Sequence, residues 1–232
     1  MNNDPIFNTQ DIIESERPNV SPAVIKRLPR YFRYLRELLR QGKMRISSGE
    51  LASMMNVTAS QIRQDLNCFG GFGQQGYGYN VNYLYAKISE ILGVGAGLNA
   101  IVIGIGDLGR ALVRSSMFEK RGVDIIGLFD VNPDIIGKPF GTLLVSHMDT
   151  LQEFCQKNHV DFAVLTVPKP VASDVVAELI RLDVRGLWNF TGVELPFDDK
   201  HIIVENVHMG DSLMTLNYKL CADREARAEQ QD

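Results

Sequence analysis

The chain is poor in cysteine, has no long apolar run and lacks a targeting pattern at its start, and each absence narrows what it can be. Three cysteines, Cys68, Cys155 and Cys221, are scattered over 232 residues. The number is odd and the spacing fits neither a disulfide framework nor a metal site. They read as buried small apolar residues, and no metal is expected. No apolar stretch approaches the roughly 20 residues of a membrane span. The opening MNNDPIFNTQ has neither the charged nor the apolar region of a secretion signal, so a cytoplasmic protein is expected. His147, His159, His201 and His208 stand apart from one another, which assembles no catalytic group.

Acid exceeds base overall, with a net charge of −4, but unevenly. From Arg17 to Glu90 there are eleven Lys or Arg against four Asp or Glu, and the remaining sequence holds thirteen against twenty-four. A basic first third on an acidic chain points to a polyanion as its partner.

Residues 1–20 are polar, carry Pro5 and Pro18, and read as a frayed leader. Ser21 and Pro22 then form a helix start, as cap and first helical residue. Leu28, Phe32, Leu35 and Leu39 follow at helical spacing, and Gly42 stops the helix. ISSGELASMMNVTASQIRQDLNCF reads as two short helices. Ser47 and Glu50 fit a capping box. Leu51, Met54 and Met55 face inward, Asn56 and Val57 turn, and Thr58 caps a second helix with Ile62 and Leu66 inside. Ser60, Gln61, Arg63 and Gln64 fall on the outer face, the pattern of a helix-turn-helix. FGGFGQQGYGYNV packs five glycines and four aromatics into thirteen residues, which suits a two-stranded hairpin, or wing. NYLYAKISEILG is an amphipathic helix that closes a domain near Gly95.

Beyond it, strand and helix alternate: NAIVIG, LGRALVRSSMF, VDIIGLFD, MDTLQEFCQKN, VDFAVLTVP, PVASDVVAELIRLD and VRGLWNF. Such alternation predicts a doubly wound parallel sheet. The first strand runs into Gly104, Gly106 and Gly109, spaced G-x-G-x-x-G. In this context the first glycine makes the turn, the second lets a pyrophosphate approach and the third lets the helix pack on the sheet. Amides at the helix start would receive the diphosphate. Asp130 ends the next strand 26 residues on. Its carboxylate can hold ribose hydroxyls and repel a 2′-phosphate, and Asp107 adds to that bias, so NAD(H) is the expected cofactor. Tyr83 and Lys87 match Tyr-x-x-x-Lys, but they precede the glycines, where reductases place the pair after them.

Together these stretches resemble the redox-sensing transcriptional repressor Rex family, bacterial homodimers that read the NADH/NAD+ ratio. The carrying motifs are ISSGELA, TASQIRQDL, FGGFGQQGYGYNV, GIGDLGRAL, FDVNP, LTVP, NFTGV and VENVHMGDSLMTL, in order from about Arg27 to Leu220. The resemblance implies an α/β chain with an N-terminal winged helix-turn-helix over 21–95. A Rossmann domain would follow over 96–210, then a domain-swapped helix and polar tail over 211–232. It implies a homodimer on a palindromic operator in double-stranded DNA, with NAD(H) as cofactor and no enzymatic activity. Contacts to DNA would come from Ser47, Ser48, Thr58, Ser60, Gln61, Arg63 and Gln64, and from Tyr77, Gly78 and Tyr79 in the wing. The cofactor would meet Gly104, Ile105, Gly106, Asp107, Leu108, Gly109, Asp130 and Val131. Its nicotinamide side would face Thr166, Val167, Pro168, Asn189 and Phe190, with Ser115 at a further family position. Leu213, Leu216 and Leu220 would be the apolar face of the exchanged helix.

Three positions depart from the family pattern. Gln64 replaces the usual lysine, Ser115 stands where a tyrosine is usual, and His208 stands where an acid can reach the partner's N-terminal arginine, matched here by Arg33. Two other readings stay open: a repressor that keeps NAD as a structural ligand with weakened redox sensing, and a small NAD-dependent oxidoreductase. The second needs a substrate domain, and only 128 residues follow Gly104.

Overall fold

The computed structural model describes residues 20–69, 73–74, 78–194 and 202–229. Residues 1–19 of the expected leader, and Tyr77, lie outside them. The chain divides into two units, Met1–Val94 and Gly95–Asp232.

In the first unit, helix α1 (Pro22–Arg40) starts where Ser21 accepts the amide of Val24 and Pro22 fills the first turn. Its apolar face buries Leu28, Tyr31, Phe32, Leu35 and Leu38. Strand β1 (Arg45–Ile46) follows, then α2 (Ser48–Met55) and α3 (Ala59–Asn67). Ser47 and Glu50 close the capping box in both directions, Asn56 takes the left-handed conformation (φ 51°), and Thr58 caps α3 through the amide of Gln61. Strands β2 (Gly73–Gln74) and β3 (Gly78–Asn80) pair antiparallel, and α4 (Val81–Ile91) is capped by Asn80.

Two expectations need correction here. The wing has a third strand, because β1 pairs antiparallel with β3 to give the order β1-β3-β2. A two-residue strand has too little periodicity to be read from sequence. Gly78 (φ 68°) permits the pairing, since a Cβ there would stand 2.7 Å from the carbonyl oxygen of Ile46. Met54 is exposed at 37%. Leu51, Ala52 and Met55 define the buried face of α2, and Met54 lies about 100° around the helix from its middle.

One charge is built into this apolar core. Asp65 on α3 is 0% exposed. It accepts hydrogen bonds from Arg27 Nε (2.6 Å) and Nη2 (2.7 Å), Tyr31 Oη (2.8 Å) and Gln61 Nε2 (2.8 Å). Burial alone would lift its pKa, but the bonds from Arg27, Gln61 and Tyr31 together hold it below the ordinary value. The same burial pushes the Tyr31 hydroxyl well above its usual range.

The second unit is a seven-stranded sheet in the order β10-β9-β8-β4-β5-β7-β6. Its strands are β4 (Leu98–Ile103), β5 (Val123–Asp130), β6 (Pro139–Phe140), β7 (Leu143–His147), β8 (Phe162–Leu165), β9 (Gly186–Asn189) and β10 (Ile203–Asn206). Helices α5 (Asp107–Arg114), α6 (Leu151–Lys157) and α7 (Lys169–Arg181) join them. All pairings are parallel except β6 with β7. The central strands β4 and β8 are almost wholly buried, as near-continuous apolar runs in a parallel sheet should be.

The sequence reading missed β6, β7 and β10, all toward the sheet edges. There one face stays wet, so no continuous apolar run marks them. LGRALVRSSMF predicts a helix reaching Phe118, whereas α5 ends at Arg114 and Ser115 is extended. Cys68 and Cys221 are exposed rather than buried, and Cys155 is half-buried. The last helix, α8 (Met209–Glu229), is exposed along 209–228, including Leu213, Leu216 and Leu220. No helix among the described residues is long and apolar enough to cross a membrane.

Replacing Asp65 by Asn should destabilise the protein by about 3 kcal/mol, because Arg27 loses its charged partner in a largely buried setting. Denaturant unfolding measures this, and a loss below about 1 kcal/mol would contradict the assignment. Because the folded pKa of Asp65 is depressed, its contribution is complete above about pH 4 and is lost as the pH falls through the folded value.

Candidate functional site

The carboxyl ends of β5, β4, β8 and β9 lie side by side. From β4 the chain proceeds to β5 on one side and later to β8 on the other. The crevice between the turns that follow β4 and β8 is therefore a topological switch point, where open α/β sheets take ligands. Gly104 makes the first turn with φ 93°, and a Cβ there would lie 2.9 Å from the carbonyl carbon and oxygen of Thr166. At Gly109 a Cβ would lie 2.1 Å from Gly104 O and 3.0 Å from Thr166 Oγ1. Backbone packs on backbone at both positions. Thr166 Oγ1 reinforces the contact by donating to Gly104 O at 2.6 Å. Gly106 differs: it precedes α5, and nothing stands within 4 Å of a Cβ built on it. Two glycines close the turn and the third leaves an open floor.

Asp130 lies at the neighbouring strand end. Its Oδ2 accepts the Ile105 amide at 2.6 Å, and its Oδ1 accepts the amides of Val131 and Asn132 at 2.7 and 2.8 Å. The carboxylate thus braces the glycine turn, and the Ile105 amide is already engaged. The amides of the first turn of α5, Asp107 and Leu108 among them, point out of the helix end.

Across the crevice, Thr166, Val167 and Pro168 lead into α7, and the half-buried Phe190 follows β9, its ring 4.7 Å from that of Trp188. Asn189 is buried, and both ends of its amide are engaged within the protein. Its Nδ2 donates to Val193 O and Asn206 Oδ1, while its Oδ1 accepts from the Thr191 amide and hydroxyl. It ties β9 to β10 and to the following loop, and its full set of bonds leaves little for a ligand.

Ser115 does not join the group. It ends α5 at the far end from the glycines, roughly 12 Å along the axis, and its hydroxyl accepts the Met117 amide. His208 lies 3.7 Å from Glu194. Sequence reasoning passed over Lys169 at the start of α7, whose Nζ is 3.6 Å from the position of a Cβ on Gly192. It has no carboxylate partner among the described residues. A cation in a first helical turn opposes the helix dipole, and that anomaly was the available signal.

In the first unit, Ser47 and Thr58 spend their side chains as caps, and Ser48 Oγ accepts from Arg63 at 3.1 Å. Glu50 pairs with Lys43, and that bond, helped by Ser47, holds its pKa at about 2. Ser60, Arg63 and Gln64 are exposed on α3 as expected, while Gln61 is half-buried against Asp65. Tyr79, expected in the wing's contact surface, is only 9% exposed and belongs to the core with Ile46 and Leu84. Gly78 is half-buried against β1.

Residues 19–67 match a family described as "Putative DNA-binding protein N-terminus", and residues 96–193 match one described as "CoA binding domain". The chain is 48% identical over 205 residues to the redox-sensing transcriptional repressor Rex of Caldicellulosiruptor saccharolyticus, covering 88% of this chain and 93% of that protein. Its counterpart in Clostridioides difficile is 48% identical over 200 residues, 86% of this chain and 95% of that one. Among solved structures, RSP in complex with beta-NAD+ and operator DNA aligns with a TM-score of 0.84 and 44% identity. That alignment covers 93% of this chain and 99% of that chain. RSP in complex with beta-NADH aligns with a TM-score of 0.84 and 42% identity, over 91% and 99% respectively.

A DNA-binding fold followed by a Rossmann-type sheet with an open glycine turn defines a class of transcriptional regulator rather than an enzyme. The chain belongs to the redox-sensing transcriptional repressor Rex family.

The two glycine environments predict opposite outcomes. Gly109→Ala should cost about 3 kcal/mol or more, since backbone must shift, and Gly106→Ala should stay within about 0.5 kcal/mol. Thermal unfolding of both variants checks this, and equal losses would contradict the geometry.

Proposed function

We propose that this protein is a cytoplasmic homodimeric repressor that grips a palindromic operator and releases it when NADH enters the crevice. The observation that carries the reading is the similarity to Rex repressors over 88% of the chain, which spans both units. In this reading the amides at the start of α5 hold the pyrophosphate above Gly106, flanked by Ile105, Asp107 and Leu108. Asp130 and Val131 face the adenosine ribose, where the carboxylate repels a 2′-phosphate. Thr166, Val167, Pro168 and Phe190 border the nicotinamide. Lys169 adds a positive charge to that edge, which opposes the pyridinium of NAD+ more than the neutral ring of NADH.

On the DNA side, α3 enters the major groove with Ser60, Gln61, Arg63 and Gln64. Ser47, Ser48 and Thr58 approach phosphates at two helix starts, where amides and the dipole favour anions. Gly78 belongs to the wing. The exposed Leu213, Leu216 and Leu220 on α8 require an apolar partner, which a second copy of the chain supplies.

A second reading keeps the operator contact and makes NAD a structural ligand with weakened sensing. It is favoured by Ser115, which stands at the distal end of α5 and offers no ring to the nicotinamide.

Fluorescence anisotropy on a duplex selected by the protein separates the two readings. The first expects NADH, but not NAD+, to weaken binding on the order of a hundredfold, or about 2.7 kcal/mol of coupling. Equal affinity in both nucleotides supports the second, and no duplex binding in any state defeats both. Sedimentation should give a dimer, with Leu213→Glu and Leu216→Glu together shifting the protein toward monomer. A wild-type monomer at micromolar concentration would contradict the dimer.

A further inference from the structure

The buried carboxylate of Asp65 has a consequence for base recognition. It stays ionised, held by the Arg27 guanidinium at 2.6 Å, and an ionised carboxylate can only accept. The Gln61 side-chain atom 2.8 Å away must therefore be the amide nitrogen. Turning the amide over would set Oε1 against a carboxylate oxygen, two acceptors at hydrogen-bond distance. Most surface glutamines flip and swing freely, whereas this one is locked one helical turn before Asp65, as the third residue of α3.

Locking leaves a defined face. One amide hydrogen is spent on Asp65, which leaves one N–H beside Oε1, and no donor among the described residues is paired with that oxygen. An adjacent donor and acceptor complement adenine in the major groove, where N7 accepts and the N6 amino group donates. Guanine presents N7 and O6, both acceptors, and would put O6 against Oε1. A free glutamine could meet guanine by turning its oxygen away and donating both amide hydrogens to N7 and O6. Gln61 cannot, because one of those hydrogens is held by Asp65.

We propose that Gln61 reads an adenine in each operator half-site, with Asp65 and Arg27 as the positioning pair that forbids the guanine-compatible orientation. The proposal rests on the operator-binding reading above. Gln64, exposed on the same helix, makes no side-chain bond among the described residues and carries no such restriction.

The test is a binding selection from randomised duplexes with the full-length protein, comparing wild type with Gln61→Ala. One A·T pair per half-site should lose its preference in the variant while the rest of the consensus persists. Replacing that adenine by guanine in the wild-type consensus should weaken wild type roughly 5- to 150-fold and Gln61→Ala less than about twofold. Replacing it by 7-deaza-adenine, which lacks the N7 acceptor, should also weaken only wild type. Asp65→Asn, with folding verified by circular dichroism, should lower discrimination against guanine at that pair more than it lowers overall affinity, because an amide at 65 can donate to Gln61 Oε1 and free both hydrogens of its nitrogen. The proposal is overturned if the altered pair is G·C, if the consensus is unchanged, or if 7-deaza-adenine weakens both proteins equally. Failure of wild type to enrich any sequence defeats the operator reading itself, a result distinct from the other three.

Discussion

The contact between Gly104 O and the α carbon of Gly109 organises the second unit. No side chain fits there, since a Cβ would stand 2.1 Å from the oxygen. Helix α5 is thereby seated against the turn at the end of β4, with Thr166 Oγ1 bonded into the same place. Strand β8 can then lie directly beside β4, and the switch-point crevice opens above the two. Asp130 holds the next part of the turn through the Ile105 amide. A ligand in this crevice meets backbone fixed by strand ends rather than mobile side chains.

The first unit relies on a different constraint. Among its described residues Asp65 is the one buried charge, and its donors come from α1 and from α3 itself. Buried ion pairs are weak sources of stability but good sources of geometric definition. Here the geometry fixed is that of the exposed helix surface, because one of the donors is a side chain of that surface. A charge buried beneath the exposed face of α3 thus serves orientation more than cohesion.

Much of this was legible in the sequence, for reasons that can be named. Caps at Ser21, Ser47 and Thr58 are local chemistry, so those helix starts were readable. The glycine spacing revealed the turn because Gly104 and Gly109 answer to backbone contacts that exclude any other residue. What escaped was non-local. Strands β7 and β10 sit toward sheet edges, β1 is two residues long, and Tyr79 lies in the core although its glycine-rich surroundings suit a presented aromatic. Asn189 lies at the right strand end, yet its amide is spent on Val193, Asn206 and Thr191, partners that spacing does not reveal. Ser115 was tied to the site by family position, and it stands at the distal end of α5, about a helix length from the glycine turn.

The central claim is that reduced cofactor and operator compete through one conformational equilibrium. Linkage makes that coupling reciprocal. The most direct measurement is calorimetric titration of NADH into the free protein and into the same protein saturated with its selected duplex. The account predicts that duplex weakens NADH binding by the same factor by which NADH weakens duplex binding. Identical NADH affinities in the two titrations would contradict it.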